Sequence, residues 1–82
     1  MTEAEIRAQV LMVLKEVAPD LDEGVLKPDV NFRDQFEFDS VDCLNFALAL
    51  ERTFTIHIPE LDYPRLSSLD SATAYLTGLL AR

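Results

Sequence analysis

The sequence is short of most residues that catalytic and metal centres are built from. A single cysteine, Cys43, leaves no partner for an internal disulfide. One histidine, His57, cannot complete a zinc set with one cysteine, and no glycine-rich phosphate loop is present. No general base stands near a nucleophile, so the chain is expected to have no catalytic activity of its own. No apolar run approaches the ~20 residues that span a bilayer. The opening MTEAEIRAQV lacks the basic end and continuous apolar stretch of a secretory signal. These absences lead to the expectation of a cytoplasmic protein. Bases are scarce as well: seven Lys and Arg face fifteen Asp and Glu, a formal charge of -8. That balance repels nucleic-acid phosphates and anionic lipid, and it favours partners with basic surfaces.

What is present fits one domain over residues 1–82. With 49% hydrophobic residues the chain can form a core, although domains of this size bury only ~60% of the surface exposed when unfolded. Thr2 and Glu5 have capping-box spacing, and Ile6, Val10, Val13, Leu14 and Val17 recur at helical intervals until Pro19. From Pro19 to Asp39 the text is too irregular for a helix or strand. It nevertheless carries Leu21, Val25, Leu26, Val30, Phe32, Phe36 and Phe38, which predict an ordered loop packed onto the core. Asp39 and Asp42 then stand at N-cap and N3 spacing ahead of a second helix running through Thr53. Thr55 to Ile58 reads as an extended connection. Pro59 can open a short helix that Pro64 limits to little more than a turn. Ser67 or Ser68 caps a last helix whose stripe is Leu69, Ala72, Leu76, Leu79 and Leu80. The expected fold is all-α, a small four-helix bundle of three longer helices and one short one, with a long loop between the first two.

The second helix has two apolar sides. At about 100° per residue, Cys43, Phe46, Ala47, Leu50 and Phe54 share the side expected to face the core. Val41, Leu44 and Leu48 lie elsewhere, with Ser40 at their head. A bundle helix needs one buried face, so this second stripe either packs beneath the loop or meets another molecule. Asp-Ser before a helix is by itself an ordinary cap. The acids from Asp20 to Asp42 read equally as a solvated face, His57 as a solvent-facing residue, and Cys43 as a small buried hydrophobe.

The joint pattern is more specific. Asp39-Ser40-Val41, Leu50-Glu51-Arg52-Thr53-Phe54 and Ile56-His57-Ile58-Pro59-Glu60 follow one another without insertion, with Phe32 upstream and Tyr75 downstream. In this the chain resembles the acyl carrier protein family over nearly its whole length. The resemblance implies that Ser40 carries 4'-phosphopantetheine, placed there from coenzyme A by a phosphopantetheinyl transferase. Acyl groups would ride as thioesters on that arm, loaded by a ligase or acyltransferase and presented to a ketosynthase or another acyl-processing enzyme. A phosphodiester at a helix N-terminus gains about 0.3 to 1 kcal/mol from the helix dipole. Asp39 and Asp42 oppose it, so their use lies in attracting cationic partners, with Val41, Leu44, Leu48 and Glu51 completing the partner-facing set. Val41 replaces the family's usual leucine, Asn45 a frequent glutamate, and Glu37 a frequent glycine. These departures, with Pro64, point to a specialised, freestanding, monomeric carrier in fatty acid, polyketide or related acyl metabolism. The Gly-Gly-x-Ser core of peptidyl carriers is lacking, which disfavours an aminoacyl or peptidyl carrier. The rival from another class is an unmodified acidic adaptor that keeps the carrier fold.

Overall fold

The computed structural model describes residues 1–81. Helix α1 spans Glu3–Val17, α2 Phe32–Gln35, α3 Ser40–Phe54 and α4 Leu69–Leu80, with a 3-10 helix at Glu60–Leu66 between the last two. There is no strand among the described residues, and the expected all-α bundle is what forms.

Each long helix starts where its local chemistry dictates. The Thr2 hydroxyl accepts the Glu5 N–H at 3.2 Å and the Glu5 carboxylate accepts the Thr2 N–H at 2.9 Å, closing a capping box. That bonding holds the Glu5 carboxyl below its ordinary pKa. Ser68 caps α4 by accepting the Ser71 N–H at 3.1 Å. Within α4 the buried Thr73 hydroxyl donates to the Leu69 carbonyl at 2.7 Å, so its burial leaves no unmet polar group.

The core follows from the apolar spacing. Helix α1 contributes Ile6, Val10, Val13 and Leu14, α3 contributes Phe46, Ala47, Ala49 and Leu50, and α4 contributes Leu69, Ala72, Tyr75 and Leu76. Helix α1 packs against both α3 and α4, and the 3-10 helix touches the same two from its own side. Removing one such large side chain costs about 2–5 kcal/mol, a large share of the total stability of a domain this small.

The long loop departs from expectation in one respect. It is packed down, yet it contains the single turn α2. A four-residue helix is too short for periodicity to reveal; it forms because Phe32 is fully buried and its N–H donates to the Ser67 carbonyl at 2.8 Å. The Gln35 side chain binds the Lys27 N–H and carbonyl, each at 2.8 Å, and the Val30 carbonyl at 2.9 Å. Asp70 donates to the Pro28 carbonyl at 3.0 Å. Phe32 sits at the centre of an aromatic cluster, with ring centroids 5.7 Å from Phe36, 5.2 Å from Phe38 and 5.7 Å from Phe46. Val25 is the exception among the loop's apolar residues and lies exposed.

Pro64 also behaves differently from expectation. It lies inside the 3-10 helix, which continues through Leu66. The carbonyl that its missing N–H would have met belongs to Leu61, an exposed residue where water can substitute. Thr55 to Ile58 is the extended connection foreseen, entered through Thr55 in the left-handed region at φ 54°, ψ 53°.

Candidate functional site at the start of helix α3

Asp39 has extended backbone and caps α3. Its carboxylate accepts the Asp42 N–H at 2.9 Å, and the Asp42 carboxylate accepts the Asp39 N–H at 3.2 Å. One oxygen of each acid is used in this box, leaving the other outside it. Phe38, just before the cap, is buried in the aromatic cluster. The chain therefore leaves the core abruptly: Asp39 and Ser40 are both exposed. Ser40 is the first helical residue, and among the described residues its hydroxyl makes no hydrogen bond. The helix start is held entirely by its neighbours.

The second stripe of α3 is not covered by the loop. Val41, Leu44 and Leu48 are 62%, 42% and 39% exposed, forming an apolar ridge that descends from Ser40. Glu51 is placed differently. Its side chain is only 19% exposed, and one oxygen accepts the Ile58 N–H at 2.9 Å while lying 3.1 Å from Nδ1 of His57. This carboxylate ties the connection after α3 back to the helix, so its main contacts are internal. His57 faces solvent as expected, with its side chain 84% exposed.

Beside Ser40 runs a groove of about 480 Å³, lined among others by Arg33, Cys43, Leu44 and Tyr63. Cys43 is half-buried at this groove rather than enclosed in the core, and burial pushes its thiol above the ordinary range, opposed by the positive charge of Arg33. An open cleft that shares Arg33 and Asp39 with this groove is lined also by Asp34, Glu37 and Asp42. Tyr75 stands behind the 3-10 helix; its hydroxyl donates to Asp62 at 2.7 Å and its ring lies 5.0 Å from the Arg65 guanidinium carbon. These contacts fix the wall that carries Tyr63.

The structure places Asp39, Ser40 and Asp42 at the start of α3, with Val41, Leu44 and Leu48 exposed along the same helix. Sequence reasoning did not single out Arg33 or Tyr63, whose relation to Ser40 depends on how the loop and the 3-10 helix fold. One signal was available for Arg33: it is the only base between Lys27 and Arg52. No group of three or more His, Cys, Asp or Glu among the described residues is placed to hold an ion. No described helix is long and apolar enough to cross a membrane.

Ser40 thus combines a first-turn position, an exposed hydroxyl and an adjoining groove. The family described as the phosphopantetheine attachment site matches residues 6–76. Similar proteins include an acyl carrier protein of Chlorobium luteolum, 31% identical over 77 residues that cover 93% of this chain and 96% of that one. An acyl carrier protein of Lactobacillus johnsonii is 30% identical, covering 93% and 94% of the two chains. One from Rubrobacter xylanophilus is 27% identical, covering 85% and 90%.

Proposed function

Because the chain belongs to the acyl carrier protein family, whose cofactor is covalent 4'-phosphopantetheine, we propose that Ser40 is the attachment residue and that residues 1–82 work as one carrier domain. When bound, the cofactor supplies a terminal thiol that holds an acyl group as a thioester. The observation that carries this reading is the exposed, unbonded Ser40 hydroxyl at the first residue of α3. A transferase can reach that oxygen without opening the fold.

The chain's own residues then divide the work. Asp39 and Asp42 hold the first turn of α3 and present negative charge beside Ser40. That charge draws basic partner surfaces and speeds encounter more than it tightens the complex. Val41, Leu44 and Leu48 supply the apolar contact at the same place. Glu51 contributes to partners chiefly by fixing the end of α3. Brief docking suits a monomeric cytoplasmic shuttle passing between a phosphopantetheinyl transferase, a loading ligase or acyltransferase, and a ketosynthase or other processing enzyme. The pathway is fatty acid, polyketide or related specialised acyl metabolism, with the changed charges at Glu37 and Asn45 narrowing the partner set.

The test is intact-mass measurement after incubation with coenzyme A, magnesium and a promiscuous phosphopantetheinyl transferase. The wild-type chain gains one phosphopantetheine and Ser40→Ala gains none. A wild-type chain that stays unmodified, or a Ser40→Ala chain that still loads, overturns the assignment.

A further inference from the structure

Arg33 borders both depressions that meet at the start of α3, and among the described residues it is the one cation lining either of them. The basic residues in ion pairs within the described structure are Arg7, Lys15 and His57; Arg33 is not among them, although Asp34, Asp39 and Asp42 line the same cleft. Its backbone is not free to wander. Phe32 beside it is fully buried and bonded to Ser67, and Gln35 clamps the other end of the turn. A guanidinium carried on a fixed backbone, and in none of the ion pairs among the described residues, thus borders the serine's groove.

Resting on the assignment of Ser40 above, we propose that Arg33 is a positioning residue that binds the phosphodiester attached there and directs the arm along the groove past Cys43, Leu44 and Tyr63. Esterification adds a negative charge next to Asp39 and Asp42, an arrangement that needs a cation nearby. Arginine suits the task, because its planar fork of donors matches phosphate oxygens and its charge is permanent. Of the amides opening α3, that of Asp42 is already taken by Asp39 and that of Cys43 by the Asp39 carbonyl, so the helix start alone offers few donors. The charge of Arg33 is felt on the groove side at Cys43. A partner enzyme with a basic surface would compete for the same phosphate and release the arm as it docks.

The experiment uses the full chain, loaded from coenzyme A and checked by intact mass, as wild type, Arg33→Gln and Arg33→Lys. The Arg33 Nε–H resonance, assigned by its loss in Arg33→Lys, is followed by proton–nitrogen NMR before and after loading, and the phosphorus line width is measured in each loaded form. The expected result is a shift of the Nε–H resonance on loading, a narrower phosphorus line in Arg33→Gln, and an intermediate one in Arg33→Lys, with circular dichroism unchanged. Complete loading with an unmoved Nε–H resonance overturns the role of Arg33 while leaving the carrier reading intact. No mass gain at Ser40 overturns both. Should Arg33→Gln load poorly, the wild-type Nε–H shift decides by itself.

Discussion

The Glu51 carboxylate accepts the Ile58 N–H at 2.9 Å across seven residues, binding the last turn of α3 to the connection that leads into the 3-10 helix. Ile58 is buried, so its amide has nowhere else to turn. Glu51→Ala is expected to cost about 1–3 kcal/mol, the penalty for stranding a buried donor. His57→Ala, removing the exposed side of the same contact, is expected to stay within about 0.5 kcal/mol of wild type. Urea denaturation of the two variants checks the contrast; equal losses would show that the Ile58 bond is not the dominant one.

Asp39 combines a cap with a charge, and two substitutions separate them. Asp39→Ala removes the acceptor for the Asp42 amide and is expected to lower stability by about 0.5–2 kcal/mol. Asp39→Asn keeps an acceptor, so its stability should remain close to wild type. If the carboxylate serves encounter, Asp39→Asn slows transferase loading at low salt and the difference shrinks as salt rises. Stopped-flow loading rates over a salt series would expose a salt-independent defect, which contradicts that role.

Cys43 should react slowly. Burial raises its thiol pKa, so at neutral pH the thiolate that alkylating reagents attack is rarer than in an open peptide. Iodoacetamide modification is expected to be slower in the folded chain than in urea, and to need higher pH to reach its plateau. The linked effect on stability has a definite sign. Below the ordinary thiol pKa both states hold the proton; above it the unfolded chain loses its proton first, so stability falls as pH climbs toward the folded pKa. A folded-state rate equal to that in urea would mean the thiol is fully open.

Thr55 occupies the left-handed region at φ 54°, where a β-branched side chain is strained. Thr55→Gly is expected to raise stability by up to about 1 kcal/mol, because glycine takes this conformation without that strain. A melting curve at or below the wild-type temperature would show that the threonine side chain stabilises the corner by more than its backbone costs.

The parts of the fold that were legible in the sequence are those fixed by neighbours in the chain. The Thr2–Glu5 and Asp39–Asp42 boxes announce α1 and α3, and the Ser67-Ser68 pair announces α4, with Ser68 the one that caps it, because each cap joins residues three apart in the chain. The turn α2 was hidden because its cause is distant: a carbonyl at Ser67 and a phenylalanine in the core. The same applies to Glu51, which reads as a surface charge until Ile58 is folded back onto it, and to Arg33, whose nearness to Ser40 depends on the packing of the whole loop. Pro64 misled for a different reason, since a proline that would break an α-helix is tolerated where an exposed 3-10 turn has little ladder to lose.

The hydroxyl of Ser40 takes no share in the bonds that begin α3. A change at that oxygen is therefore expected to leave the Asp39–Asp42 box that caps α3 in place. The fold keeps the groups that hold this corner, Asp39 and Asp42, apart from the exposed hydroxyl that lies between them in the chain.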